Sequence, residues 1–295
     1  MINGWDGIEE FVSVARAGSF TGGANSFGAS TTHMSRAIAR LETRISARLF
    51  NRTTRSLHLT DTGQIFLAQC ERLLDEREEA IAGVSDQSEP RGSLKITCSY
   101  ALGELFVAPL ARQFAQTYPG LNVTIDLDND VVDILSQGHD VAIRTGHLED
   151  SRLIATRIAE REMITVASRH YISSHGQPNS VDDLRDHNCL IGSSPRWHFR
   201  TQADFRPRGN WKCNSGKAVV EACIAGMGIC QLPAFYMKDH MAAGRLQEIL
   251  PHEKPQDEPI WAVYPTRRHL SPKVSLLVSH LRAHLQGQLD HRNNG

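Results

Sequence analysis

An arginine repeat near the amino end narrows what this chain can fold into more than any other feature. Arg36, Arg40, Arg44, Arg48 and Arg52 recur at every fourth position, Arg55 follows, and residues 36–55 set six arginines against one acid, Glu42. Residues four apart share a face of an α-helix. The spacing therefore predicts a helix opened by Ser30, running through Arg36, Ile38, Leu41 and Ile45, with guanidinium groups in a stripe along and just beyond it. The whole chain carries a net charge of −1, so the excess is local. A concentrated basic face on a nearly neutral chain is the footprint of a surface that meets phosphates. An arginine-rich helix that merely faces water is the competing reading.

The flanking residues favour the first reading. Residues from Ser19 to Phe27 predict a helix of their own, and the turn at Gly28 joins it to the second as in a helix-turn-helix. Ser30, Thr31 and Thr32 cluster at the start of the second helix, where the side chains of a recognition helix reach base edges. A basic hairpin between Leu49 and Thr60 follows, placed to act as a wing. Thr31, Thr32 and Ser35 are the base-edge candidates, with Arg36 shared between base and phosphate and Arg40 next on the stripe. His33 is a base or phosphate neighbour, since no second metal ligand lies at metal spacing. Arg52 and Arg55 on the wing are expected on backbone or minor groove.

The segments SFTGGANSFGASTTHMSRAIARLE and LFNRTTRSLHLTDTG together resemble the winged helix-turn-helix of the LysR-type transcriptional regulators. That family usually has Gln where Thr31 stands and a small residue where His33 stands. Gln pairs bidentately with adenine and Thr does not, so the family's usual base reading does not carry over at that position. The resemblance implies a regulator that binds paired half-sites on double-stranded DNA as a homodimer or homotetramer and works with RNA polymerase.

Around this headpiece the chain reads in order. Ile8, Phe11, Val12 and Ala15 fall at helical spacing in a first helix that Asp6 is expected to cap. From Thr62 to Val84, Phe66, Cys70, Leu73, Arg77, Ala80 and Val84 step by four and three, the spacing of a coiled-coil seam. A second copy of the chain is the expected partner for that seam, and packing on the chain's own effector domain is the alternative. Residues 85–92 read as a hinge. The expected division is a DNA-binding domain over 1–62, a linker helix and hinge over 63–91, and an effector-binding domain over 92–295. Within the last, lobe I takes about 92–162 and 267–288 and lobe II about 163–266.

Beyond the hinge, strands (Leu94 to Cys98, Val123 to Leu127, Asp140 to Arg144, Met163 to Ala167, one ending in Gly228 and Ile229, Ile260 to Tyr264) alternate with helices (Ala101 to Tyr118, Val131 to Gln137, Lys217 to Ala225, Pro272 to about Leu285). Alternation of this kind predicts an α/β fold with a parallel sheet covered on both faces. FVAPLARQFAQTYPGLNVTI, DVAIRTGHLED and VVEACIAGMGICQLP resemble the LysR effector domain, which implies the bilobed fold of periplasmic binding proteins. The resemblance places effector contacts at Ser99 and Tyr100, at Asn214 and Ser215, at Arg144, Thr145 and Gly146, and near Gly228 and Ile229. Two helices would open at the first two of these turns, and helix N-termini suit a carboxylate or phosphate. An anionic metabolite is the expected effector. Ser99 and Ser215 read equally as plain N-caps, and Arg144 as a partner of Asp126 or Asp140.

Other functional classes find less support. No run approaches the length of a membrane span, and MINGWDGIEE lacks a secretory pattern, so no membrane association and a cytoplasmic location are expected. The six cysteines contain no C-x-x-C pair and read as small buried hydrophobes, with thiol redox sensing a lesser alternative. The 14 histidines include no HExxH, and no GxSxG occurs. No catalytic residue, metal site or cofactor is therefore expected. Scattered surface histidines are the default, one of them a pH sensor at most. A bilobed small-molecule-binding protein or enzyme without a DNA-dependent role remains the alternative class.

Overall fold

Capping residues set the frame of the amino-terminal helices: α1 (Ile8–Ala17), α2 (Phe20–Phe27) and α3 (Thr31–Ile45). Ser19 caps α2 by accepting from the Gly22 amide at 3.0 Å, and Ser30 caps α3 by accepting from the His33 amide at 3.1 Å. Gly28, at φ 73°, closes α2 in the left-handed region. The start of α1 differs from expectation, because Gly7 and not Asp6 sits at the N-cap and no side chain caps it. Gly7 adopts φ 85°, and a Cβ there would lie 2.8 Å from the Ala37 carbonyl oxygen. The computed structural model describes residues 5–52, 57–82, 89–129, 138–146, 153–202, 204–265 and 271–294. The chain divides into two units, Met1–Gly92 and Ser93–Gly295.

In the first unit α3 ends at Ile45, with Ser46 at φ 53° as its C-cap. The arginine stripe therefore divides: Arg36, Arg40 and Arg44 ride on the helix, Arg48 falls in the turn beyond, and Arg52 closes strand β1 (Phe50–Arg52). β1 pairs antiparallel with β2 (Leu57–Leu59), the two strands of the wing. Arg55 lies outside the described residues. Glu42, the one acid in the stripe, accepts from the amides of Leu49 at 2.8 Å and Phe50 at 3.2 Å, fixing the chain where it turns from helix into wing.

Helix α4 (Asp61–Ala82) uses part of its apolar seam locally. Phe66, Leu67, Cys70 and Leu74 join the headpiece core of Phe11, Met34, Ile38, Leu41, Leu49 and Phe50. Ion pairs of Arg16 with Glu71 and of Arg77 with Glu9 bind α4 to α1. Cys70 is thus buried within its own headpiece and Phe66 partly so, whereas Ile65 and Leu73 are exposed. Val84 and residues 85–88 of the expected hinge lie outside the described residues, as does the side chain of Ala80.

The second unit comprises β3 (Gly92–Cys98), α5 (Tyr100–Leu102), α6 (Ala108–Thr117), β4 (Leu121–Leu127), β5 (Val141–Thr145), β6 (Leu153–Arg161), β7 (Met163–Ser168), α7 (Arg169–His175), α8 (Gly216–Ile224), β8 (Ile229–Pro233), α9 (Lys238–Ala242), β9 (Leu246–Glu248), β10 (Glu258–Pro265) and α10 (Pro272–Asn294). A wide π-helical turn, Gly103–Val107, joins α5 to α6 where one continuous helix was expected. Gly103 at its start packs directly on β4, since a Cβ there would meet Leu127 Cδ2 at 2.2 Å. The expected helix from Val131 to Gln137 lies outside the described residues.

Two sheets define two lobes: a five-stranded sheet in the order β4-β3-β5-β10-β6 and a three-stranded one in the order β8-β7-β9. Neither is the parallel sheet that alternation suggested. β3 and β5 run parallel, but β10 enters antiparallel to both β5 and β6, and β7 pairs antiparallel with β8 and β9. β10 belongs to the first lobe's sheet, so the expected lobe II boundary at about 266 is too late. The chain leaves that sheet at Arg161 and returns at Glu258. The first lobe's core joins Leu94, Ile96, Phe106 and Leu110 to Ile260, Leu277 and Leu281 of β10 and α10. The second packs Val166, Val219, Cys223 and Cys230 together, with Tyr171, Trp197, Phe205 and Ile229 in a neighbouring cluster.

Candidate nucleic-acid interface and effector cleft

The interface candidate begins with the cap that points α3. Ser30 spends its hydroxyl on the His33 amide, so it shapes the helix start. Thr31, Thr32, His33, Arg36 and Arg40 are exposed, and Ser35 is half-buried. Met34, Ala37, Ile38 and Leu41 are buried on the opposite side. Arg36 and Arg40 form no ion pair with any described residue. Arg44 differs, donating from Nη2 to the Asp6 carbonyl at 3.0 Å. His33 also has a partner: its Nε2 lies 3.1 Å from Glu10 Oε1 on α1. The side chain of Arg52, like all of Arg55, lies outside the description.

In the second unit the two expected turns meet through a residue the sequence reading passed over. Asn129 Oδ1 accepts from the Tyr100 amide at 3.0 Å, and its Nδ2 donates to the Asn214 carbonyl at 3.2 Å. One carboxamide thus ties the turn before α5 in the first lobe to the turn before α8 in the second. Ser215 is an N-cap, accepting from the Ala218 amide at 3.5 Å, whereas Ser99 makes no cap bond. Gly216 lies against Tyr236, and a Cβ there would meet the ring at 2.4 Å.

Arg144, half-buried at the end of β5, donates to the Ile143 carbonyl at 3.2 Å and to the buried Thr97 hydroxyl at 3.1 Å. It pairs with neither Asp126 nor Asp140: Asp126 holds His139 at 2.9 Å, and Asp140 accepts from the Lys95 amide at 2.8 Å. Among the described residues Arg144 forms no ion pair within salt-bridge distance, although the Asp128 charge acts on it. Burial lowers its pKa, opposed by the Cys98 thiol and Asp128. Thr145 is half-buried beside it, and Gly146, at φ 81°, offers its carbonyl to Trp261 Nε1 at 2.8 Å. A second arginine was not anticipated. Arg161 donates to Glu258 at 2.6 Å at the crossing between lobes, and its charge acts on both Cys98 and Tyr236.

Gly228 and Ile229, expected near the effector, pack closely on the Asn188 backbone. Ile229 is wholly buried, and its amide donates to the Asn188 carbonyl at 2.9 Å. A Cβ on Gly228 would lie 2.2 Å from the same oxygen. A surface cavity of about 490 Å³ lined by Trp211, Ser215, Lys217, Ala218, Glu221, Ala222 and Met227 runs along α8 and shares only Ser215 with the expected site.

The remaining titratable groups are largely structural. Burial pushes the thiols of Cys98 and Cys189 up to about 12 and that of Cys70 up to about 11. Several histidines expected on the surface are engaged. His139 is buried on Asp126, His175 stacks on Tyr171 at 4.3 Å, and His187 Nδ1 lies 3.2 Å from the Tyr171 hydroxyl. His147 lies outside the described residues.

Comparison with known proteins agrees along the chain. Residues 5–64 match the family model of the bacterial regulatory helix-turn-helix protein, lysR family, and residues 87–286 match that of the LysR substrate binding domain. An uncharacterized HTH-type transcriptional regulator of Haemophilus influenzae is 33% identical, over 91% of this chain and 96% of its own. The HTH-type transcriptional activator AaeR of Escherichia coli is 30% identical, over 92% and 90%. Among solved structures, the full-length virulence activator AphB of Vibrio cholerae aligns with a TM-score of 0.59 at 27% identity, covering 96% of this chain and 99% of that one.

Proposed function

The chain belongs to the LysR family of transcriptional regulators, with a DNA-binding helix-turn-helix and an effector-binding domain, and on that premise we propose that a small anionic metabolite in the interlobe cleft modulates its promoter binding. The observation that carries the anion is Arg144: a half-buried guanidinium, held by a carbonyl and a hydroxyl, that forms no direct ion pair with a carboxylate among the described residues. Guanidinium groups match carboxylate and phosphate geometry. The Ser99 hydroxyl, which makes no cap bond and lies within hydrogen-bond reach of the Cys98 thiol, and the N-terminus of α8 add donors of the same preference.

On the DNA side, Thr31, Thr32 and Ser35 reach base edges, Arg36 is shared between base and backbone, and Arg40, Arg52 and Arg55 meet phosphates. A dimer built on α4, with Ile65 and Leu73 in its seam, presents two such helices to paired half-sites, and a tetramer and RNA polymerase complete the assembly in the cytoplasm. Effector binding shifts the lobes because the ligand prefers one arrangement. At Cys98 and Cys189 the thiol-sensing reading is disfavoured, since protonated buried thiols are poor nucleophiles. The test is a thermal-shift screen of the full chain against small carboxylates and phosphates, repeated with Arg144→Gln. Stabilisation by an anion that vanishes in the variant supports the proposal, and stabilisation by neutral compounds alone contradicts it.

A further inference from the structure

Glu10 on α1 reaches the start of α3, where its Oε1 meets His33 Nε2 at 3.1 Å. A carboxylate only accepts hydrogen bonds, so the hydrogen in this contact sits on Nε2. The neutral ring is thereby fixed in one tautomer, with Nδ1 a bare acceptor. Nδ1 has no partner among the described residues, and the His33 side chain is 48% exposed whereas that of Glu10 is only 14% exposed. His33, Arg36 and Arg40 follow one another along one flank of α3 at helical spacing, so His33 stands at the edge of the face assigned to the duplex.

A histidine free to exchange tautomers donates to a phosphate even when neutral. His33 cannot do so without turning the Nε2 lone pair against the Glu10 carboxylate. Only the doubly protonated ring presents both an Nδ1–H and a positive charge. We propose that Glu10 is a positioning residue that makes His33 a phosphate contact solely in its doubly protonated form, so that duplex binding by this headpiece takes up a proton. The charged surroundings are few. α1 brings Glu10 and Glu9, the latter engaged by Arg77; α2 carries no titratable side chain; α3 adds Arg36 and Arg40. The proposal rests on the reading that α3 faces the duplex.

The test measures binding of the full chain to a mixed-sequence duplex of about 40 base pairs at fixed ionic strength, from about pH 8 to about pH 6, for wild type, His33→Ala, His33→Gln, Glu10→Gln and Arg36→Ala. Other histidines contribute a common pH slope, so the difference from the His33 variants is what is read. Wild type should gain about tenfold more affinity on acidification than either His33 variant. Glu10→Gln should bind more tightly at the alkaline end and lose most of that excess slope, because a carboxamide donates as well as accepts and releases the tautomer. A wild-type slope retained in both His33 variants, or in Glu10→Gln, overturns the proposal. An unchanged affinity in Arg36→Ala overturns instead the reading beneath it, that α3 meets the duplex.

Discussion

The exposed flank of α3 and the interlobe cleft hold their polar groups in opposite states. On α3, Arg36 and Arg40 stand exposed with no ion pair among the described residues. In the cleft most groups already have internal partners: the Tyr100 amide and Asn214 carbonyl share Asn129, Arg161 is held by Glu258, and the Ile229 amide is spent on Asn188. Arg144 too is held, by the Ile143 carbonyl and the Thr97 hydroxyl, and differs in forming no ion pair with a carboxylate among the described residues. A duplex can therefore meet α3 with little rearrangement, whereas a ligand entering the cleft exchanges partners as it binds. On the proposed reading, a ligand that broke the Asn129 bridge would couple its own entry to lobe movement through the same hydrogen bonds.

That contrast can be broken first at the frame of the headpiece. Gly63 packs so closely on the chain before the wing that a Cβ would lie 2.1 Å from the Leu49 carbonyl oxygen. Gly63→Ala should cost the first unit more than about 3 kcal/mol, abolish DNA binding, and leave anion-induced stabilisation of the second unit intact. Two-probe thermal melts check this, and loss of both functions together would break the comparison. Next, at a ligand concentration of about one hundred times Kd, an anion should stabilise the effector unit by about 2.7 kcal/mol. Arg144→Gln should remove most of that gain while leaving DNA affinity in the absence of ligand near wild type. Glu42→Ala leaves the Leu49 and Phe50 amides without their acceptor and should cost about 1–3 kcal/mol in chemical denaturation, with no change in ligand-induced stabilisation.

The smallest effect concerns the thiols. Cys98 and Cys189 keep their protons up to about pH 12 in the folded chain, whereas in the unfolded chain they ionise near the ordinary thiol range. The unfolded state thus binds fewer protons above that range, and stability should decline as pH rises through and beyond it. At neutral pH, iodoacetamide should label these two cysteines only after denaturation, as mass spectrometry of the folded and unfolded chain will show. Rapid labelling of Cys98 in the folded protein would revive the thiol-sensing alternative.

Legibility in the sequence followed the range of each interaction. Ser30 as a cap, Gly28 as a turn and the exposed edge of α3 depend on neighbours within a few residues, and local spacing suffices to find them. β10 was legible as a strand, yet its insertion between β5 and β6 depends on pairing with residues far away in the chain. The same distance hid the Asn129 bridge and the Glu10 contact to His33, since nothing near either acceptor in sequence marks it. Gly228 and Ile229 show the converse ambiguity. A glycine beside an apolar residue at a strand start reads alike whether it lines a ligand or packs on a backbone, and here it packs on Asn188. The arginine repeat was right as far as the helix carries it. Its rhythm continued past Ser46, where the backbone did not.

The account turns on those α3 arginines meeting phosphates, and counterion release measures that directly. Binding of the full chain to duplex DNA should give a linear fall of log K with log salt, each phosphate contact contributing about 0.9 to the slope. Replacing Arg36 and Arg40 together by Ala should reduce the slope by between about one and two at every DNA sequence tried. A slope identical to wild type would contradict the account, because it would leave the exposed arginines without a role on the duplex.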